Sequence, residues 1–511
     1  MSIYLRCMRK SVAHNTIWLT GSLVAQKVLS FVYFAIIARQ LGVEETGLYV
    51  FALAFTALFG IFADFGLTPV VIREVAKERD HSQFSPSVKT RLIVSLRLKA
   101  LFIVISAVAA VGFAKLLGYE ERTIMIVLAT SGVMMLDAIH VFAYGILRGV
   151  QNLRYEAIGM FGGQLLVVLL GGYVLFNTQS IFLLVGALAV GSLFNVINGV
   201  YHVWRAGIKI PFSYKISFGD IKGLLLMAWP FAAAGILARG YAQIDVILLS
   251  KMTGLTAVGL YAVPSKIVFA FQFIPIALAA ALYPAMSRAF VASREKLSRI
   301  VQISMSYLMF LAIPLIVILL TMSPVIIKYV FGDAYLSSVI LLQILSISML
   351  FGFIDFPIGS LLNAVHKQHL QTMSMFITLV TNLGLNLLLI PRYGALGATI
   401  AAVVGQTVLF STGLYFARNV IHWDVSVLLS RAVRMLASGG AVAALALALL
   451  PRLTSFLEYL SQSGQTLYLF AVLLGSLAGL GIVYIILIFV LRAITIAEVK
   501  TFISTYIKRN V

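Results

Sequence analysis

About fourteen apolar runs, each long enough to cross a bilayer, leave this chain little choice of fold. They lie near 14–38, 48–65, 92–117, 123–147, 157–176, 180–203, 223–250, 256–286, 300–321, 336–362, 371–390, 396–417, 432–450 and 466–491. A spanning helix needs about 20 mostly apolar residues. In hydrocarbon every backbone N–H and C=O must find its partner within the protein, so an isolated run of this length is helical. The Pro and Gly inside several runs, such as Trp229-Pro230 and Pro275, are tolerated where neighbouring helices satisfy the freed groups. The expected class is an all-α integral membrane protein. Composition agrees: 61% of residues are hydrophobic and only 11% charged, against about 25% charged in soluble domains. The longest loops, 66–91 and 451–465, fall well below the roughly 50 residues of a small domain. Whatever the protein does, it does with its spans.

The formal charge is +20, from 38 Lys and Arg against 18 Asp and Glu. A nucleic-acid surface clusters its basic residues on one face, whereas these are scattered through many short loops, so no nucleic-acid partner is expected. They follow the positive-inside rule. With the N-terminus inside, the inner loops and tails carry about 26 Lys and Arg and the outer loops about 7. This predicts a multi-pass protein of the plasma (inner) membrane with both termini cytoplasmic. The first run, after Arg6, Arg9 and Lys10, exceeds the roughly 7–15 apolar residues of a signal peptide and is expected to be a retained helix. Cys7, the single cysteine, has no intramolecular disulfide partner.

The chain repeats itself. An offset of 212 residues lays "ARQLGVEETGLYVFA" (38–52) on "SKMTGLTAVGLYAVP" (250–264), matching Gly42 with Gly254, Gly47-Leu48-Tyr49 with Gly259-Leu260-Tyr261, and Arg39 with Lys251. The same offset puts Lys27 on Arg239. Six spans separate the copies, so both cross the membrane in the same direction and the repeats are parallel. The expected organisation is a first lobe over 1–210 (spans 1–6), a second over 211–420 (spans 7–12), and spans 13 and 14 with a tail over 421–511.

Five cations, Lys27, Arg97, Lys99, Arg239 and Lys266, fall inside spans. A Lys or Arg at a helix centre costs about 2.5–3.5 kcal/mol of insertion free energy, and each flanking Leu, Ile, Phe or Val returns only about 0.3–0.6 kcal/mol. Such residues usually face a bundle interior or a watery cavity. Asn15, Ser22, Gln26, Ser30 and Tyr33 form a polar stripe beside Lys27, and Arg239 shares a face with Gln243 four residues on. The symmetric placement of Lys27 and Arg239 favours a substrate-facing role over a buried ion pair with Asp64, Asp137, Asp245 or Asp355. Lys266 faces a cavity or snorkels to the outer interface. Arg97 and Lys99 are expected to snorkel to the inner surface. A cationic cavity binds an anion: Arg offers a fork of donors suited to phosphate and Lys a compact charge. Tyr33, Tyr241, Gln26 and Gln243 are suited to sugars or other polar groups. Asp137 and His140, three apart, form either a proton relay or, more simply, a polar helix–helix contact.

No Walker A or HExxH sequence is present, and His366 and His369 lack a third metal ligand nearby. No nucleophile–base pair can be assembled from the loops. Neither catalysis, a cofactor nor a metal is expected.

The chain resembles the polysaccharide exporters of the O-antigen flippase type, in the superfamily that also holds multidrug extruders (the MATE fold) and the lipid II flippase. The likeness rests on "ARQLGVEETGLYVFALAF" (38–55), "IREVAKERD" (72–80), "LRGVQNLRYEAIG" (147–159), "IDVILLSKMTGLTAVGLYAVPSKI" (244–267), "YPAMSRAF" (283–290), "VFGDAY" (330–335) and "NLGLNLLLIPRYGALGATIAA" (382–402). It implies fourteen helices in two lobes forming a V, with spans 1, 2, 7 and 8 lining a cationic cavity in which Lys27, Arg239 and Lys266 would stand. The implied substrate is an oligosaccharide joined by pyrophosphate to a polyprenol, moved from the inner to the outer leaflet by alternating access. Membrane lipids, a polysaccharide polymerase and chain-length machinery are the implied partners. Three rivals remain. A lipid II flippase would use the same chemistry. A multidrug cation antiporter on the same fold should line its cavity with carboxylates. A membrane glycosyltransferase or polymerase would need a catalytic carboxylate or His on a substantial loop.

Overall fold

The structure, a computed structural model, describes residues 2–78, 84–208 and 216–493. The side chains of 2–20, 22, 23 and 280 lie outside that description, and with them the expected polar positions Asn15 and Ser22. Among the described residues fifteen α-helices follow one another: α1 (Ser2–Asp64), α2 (Leu67–Lys77), α3 (Pro86–Leu116), α4 (Glu121–Gly149), α5 (Arg154–Asn177), α6 (Ile181–Arg205), α7 (Phe218–Met252) and α8 (Leu255–Ala270). The rest are α9 (Phe273–Ala292), α10 (Arg294–Ile326), α11 (Ser338–Ala364), α12 (Gln368–Tyr393), α13 (Ala395–Ala417), α14 (Val425–Gln462) and α15 (Thr466–Val490). A π-helical turn (Ile327–Phe331) and a short 3-10 turn (Asp333–Tyr335) join α10 to α11.

Thirteen helical stretches among the described residues are long and apolar enough to cross a membrane. The first, Val24–Asp64, runs through a non-helical residue at Gly42, so it holds two of the expected spans. α8 and α9 together make one. The fourteen apolar runs thus correspond to the helices found.

Helix starts are set by local chemistry. The Ser85 hydroxyl accepts from Val88 N, with Pro86 at the first helical position of α3, where its missing N–H costs nothing. Ser217 and Asp220 form a reciprocal capping box at the start of α7.

By internal contacts the chain divides into two compact units, 1–259 and 260–511. In the first, α4 and α5 pack on α6, and α5 packs on α1. α7 lies against α1, α2 and α3, so it belongs to this unit. Val71, Val75, Leu92, Phe142, Tyr144 and Leu147 form a buried cluster joining α2, α3 and α4. In the second unit α10 packs on α11 and α14, and α13 on α11 and α12. Val325 and Tyr329 meet Leu457, Leu460, Leu469 and Leu473, which docks the last two spans, α14 and α15, onto the end of α10.

The 212-residue repeat is written into the backbone. Gly42 and Gly254 both have positive φ, 78° and 93°, a conformation that side-chain-bearing residues rarely adopt. Each breaks a helix before a second limb begins. One turn further on, a Cβ placed on Gly47 would lie 1.9 Å from the carbonyl oxygen of Leu255, and one on Gly259 would lie 2.0 Å from that of Val43. Val43 and Leu255 are themselves 212 residues apart, so each glycine lets its segment close on the repeat-equivalent of the other. Lipid is as apolar as Leu, so helices in membranes associate through such close packing of small residues.

Candidate functional site

Lys27 lies on the first limb of α1 and Arg239 on α7. Each sits fifteen residues before its positive-φ glycine, about 22 Å along the helix. Both are exposed. Among the described residues neither makes a hydrogen bond or an ion pair. Equivalent places in the repeat therefore hold two cations without a protein partner among the described residues, each the same distance along its helix from the break.

The acids that were candidate partners are engaged elsewhere or lie apart. Asp64, at the end of α1, pairs with Lys99 of α3 and accepts from Thr68 of α2. Lys99 Nζ also donates to Thr68 Oγ1 at 3.1 Å and stands 5.2 Å from the centre of the Phe142 ring. Lys99 is 2% exposed, which corrects the expectation that it snorkels to the surface: a carboxylate one helix away satisfies it inside the unit. Arg97, two residues along, is exposed. Asp137 accepts from Ser192 Oγ of α6 at 2.6 Å and lies 3.1 Å from His140 Nε2, so this pair ties α4 to α6. His140 Nδ1 is buried with no protein partner. Asp245 is buried, whereas Arg239 on the same helix is exposed. Asp355 is buried in the second unit, with its Oδ1 beside Gly413 of α13 and no hydrogen bond to that atom.

The neutral candidates Gln26, Gln243 and Tyr241 are partly exposed, and the cation Lys266 on α8 is exposed in the second unit. Tyr33 is a correction. It is 4% exposed, and its hydroxyl fills the space where a Cβ on Gly171 of α5 would stand. Six residues on a helix turn through about 240° relative to Lys27. That carries Tyr33 into the α1–α5 packing, off the face that holds the charge.

Two features escaped the sequence reading. On α12, Ser374, Thr378, Asn382 and Asn386 are fully buried and recur every four residues, with Gln371 beside Gly359 of α11 at one end. The Gln371 Oε1, Ser374 Oγ, Thr378 Oγ1 and Asn382 Nδ2 atoms have no hydrogen-bond partner. The four-residue spacing in "SMFITLVTNLGLN" was the available signal. On α2, Glu74 is buried and its carboxylate meets Arg73, Lys77 and Arg91, a structural knot that ties α2 to α3.

A sequence profile described as "Polysaccharide biosynthesis protein" matches residues 12–290, and one described as MatE matches 230–388. The chain is 24% identical over 400 residues to a "Putative O-antigen transporter" of Shigella flexneri, covering 76% of this chain and 94% of that one. It is 23% identical over 383 residues to a "Probable low-salt glycan biosynthesis flippase" of Haloferax volcanii, covering 74% and 78%. Among solved structures, the lipid II flippase MurJ in an inward closed conformation superposes with a TM-score of 0.70 at 15% identity, over 93% of this chain and 98% of that one. At that identity the likeness is one of fold. The first profile spans more than half of the sequence, and the repeat, the helices and the superposition agree with it. The chain belongs to the polysaccharide biosynthesis protein family and is a multi-pass polysaccharide exporter of the multidrug/oligosaccharidyl-lipid/polysaccharide exporter superfamily.

Proposed function

We propose that the protein is a flippase for a polyprenyl-pyrophosphate-linked oligosaccharide, an O-antigen or other surface-polysaccharide repeat unit. It carries the sugar from the cytoplasmic to the outer leaflet of the plasma membrane by alternating access. The observation that carries this reading is the matched pair Lys27 and Arg239: exposed, without a protein partner among the described residues, and each the same distance along its helix from the break. Cations inside a span usually face a bundle interior or a water-filled cavity and mark a substrate path, and a pyrophosphate suits one compact ammonium and one guanidinium fork. Lys266, Gln26, Gln243 and Tyr241 are assigned to the sugar and the remaining phosphate oxygens. The polyprenol stays in the bilayer while the head group crosses.

A disubstituted pyrophosphate carries two negative charges. With the cytoplasm negative, their outward movement is favoured by about 4.6 kcal/mol per 100 mV, which supplies part of the drive without a bound coupling ion. The Lys and Arg bias of the loops supports cytoplasmic termini, and a polysaccharide polymerase with its chain-length machinery would take the product outside. The resemblances are to transporters and flippases, which favours transport over a glycosyltransferase role. A lipid II flippase would use the same two cations on a different glycan.

The test is export in cells that lack their own flippase. The wild-type chain restores surface polysaccharide there, and Lys27→Gln and Arg239→Gln lower it at equal expression. Failure to restore any lipid-linked glycan export would exclude the reading. Restoration of peptidoglycan synthesis alone would assign the chain to lipid II.

A further inference from the structure

A cavity of about 850 Å³ opens in the second unit where α10 and α14 begin. Its walls are held rigidly although they lie some 120 residues apart in sequence. Gln302 on α10 donates through Nε2 to the carbonyl of His422 at 2.9 Å and accepts from Asp424 N at 2.9 Å. His422 N donates to Ser298 Oγ at 3.0 Å. These three bonds clamp the 422–424 segment along α10, so the cavity is built before any ligand enters.

Four charged side chains line it: Glu295 and Arg299 on α10, Asp424 at the cap of α14, and Arg431 on α14. Glu295 and Arg299 are four apart in the order that favours a helical ion pair, yet they form none, and neither has another protein partner among the described residues. Asp424 uses Oδ1 to cap Val427 N and to accept from Ser426, which leaves Oδ2 without a protein donor among the described residues. Arg431 reaches inward, with Nη1 3.5 Å from Oγ of the buried Ser306. The cavity thus holds two guanidinium groups and two carboxylates, with no net charge to select an anion. It lies at the polar boundary of two spans, since α10 opens with Arg294, Glu295 and Lys296 before turning apolar. From its mouth an exposed apolar stripe, Val425, Leu429, Val433 and Leu436, runs along α14 into the membrane.

We infer that this cavity seats the headgroup of a zwitterionic membrane phospholipid bearing a primary ammonium, of the phosphoethanolamine kind. The phosphate lies toward Arg299 and Arg431, whose planar forks suit it. The ammonium donates to Glu295 and Asp424, and the acyl chains follow the stripe on α14. A phosphoglycerol headgroup has no cation for the carboxylates, and a phosphocholine headgroup has no N–H to donate to them.

The test is native mass spectrometry of the full chain released from nanodiscs containing phosphatidylethanolamine, phosphatidylglycerol and phosphatidylcholine in equal amounts. Retained phosphatidylethanolamine should exceed each of the others by about tenfold, one such step being 1.4 kcal/mol. Arg299→Gln with Arg431→Gln should abolish retention. Glu295→Gln with Asp424→Asn should bring the three lipids to parity, and Asn at 424 keeps the cap of α14. The single variants Arg299→Gln and Glu295→Gln, at exposed side chains with no protein partner among the described residues, should move retention the same way without disturbing the fold. Equal retention of the three lipids by the wild type, or a preference unchanged in the variants, would overturn the inference. So would competition by water-soluble glycerophosphoethanolamine as strong as that of the lipid, which would make the ligand a solute.

Discussion

Substituting Gly47 by Ala puts the repeat contact to a quantitative test. The new Cβ would start 1.9 Å from the Leu255 carbonyl oxygen. A comfortable carbon–oxygen contact is about 3.3 Å, so the two backbones must part by about 1.4 Å. Overpacking of this kind costs about 1–3 kcal/mol. Gly259→Ala should cost the same, because its Cβ would start 2.0 Å from the Val43 oxygen. The informative variant is the double. A single separation of the two segments relieves both clashes, so the double should cost little more than either single, a coupling of about 1–2 kcal/mol between residues in one contact. The control is Gly172→Ala, where nothing lies within 4 Å of the added carbon. There the gain in helix propensity should leave stability unchanged or raise it by up to about 1 kcal/mol. Equilibrium unfolding of the purified protein in bicelles by titration with SDS measures all four. Additive single effects, or a Gly47→Ala variant as stable as Gly172→Ala, would refute a contact shared by the two glycines.

Three further outcomes follow from the interior of the first unit. Asp64→Asn leaves Lys99 buried without its counter-charge and should cost about 3–5 kcal/mol, while Asp64→Leu combined with Lys99→Met should recover most of it; the same SDS titration reads both. Burial pushes the Glu74 carboxyl up, but Lys77, Arg91 and Arg73 outweigh this and hold it below its ordinary value of 4.5. Its contribution to stability is therefore present above that value and lost as the pH falls through the lower, folded one. Wild-type stability should drop below about pH 4.5 more steeply than that of Glu74→Gln, which should already be weaker at pH 7. Tyr33→Phe should leave transport unchanged and stability equal or higher, since the lost hydroxyl has no hydrogen-bond partner in its packing against Gly171; a transport defect at normal expression would return Tyr33 to the substrate face.

Much of this was legible in the sequence because the physics behind it is local. Apolar length determines a span, and a residue that tolerates positive φ determines a break. The matched Gly42 and Gly254 stand between expected spans, and both take the positive φ that breaks a helix. The identity of Gly47 and Gly259 was equally visible, but not their mutual contact, which depends on how two limbs 212 residues apart come together. The charges divide in the same way. The spacing of Asp137 and His140 gave their interaction, while Ser192, which completes it, lies on another helix. Lys99 was misread because hydropathy sees a cation near a helix end and not the Asp64 carboxylate that receives it. Tyr33 was misread because the stripe it shares with Gln26 lies about 100° around the helix from Lys27, and the α5 surface that buries its hydroxyl against Gly171 cannot be read from α1 alone. The cavity between α10 and α14 had no signal at all, since its walls come from segments that share no motif.

The central claim is that Lys27 and Arg239 hold the pyrophosphate during crossing. It is tested most directly by the initial flipping rate of a defined polyprenyl-pyrophosphate oligosaccharide in proteoliposomes carrying the wild type, Lys27→Gln, Arg239→Gln or the double variant. A charge-assisted hydrogen bond is worth about 1.5–3 kcal/mol, so each single variant should flip about 10–150-fold more slowly, and the double should be slower still. Wild-type rates in the double variant would contradict the account.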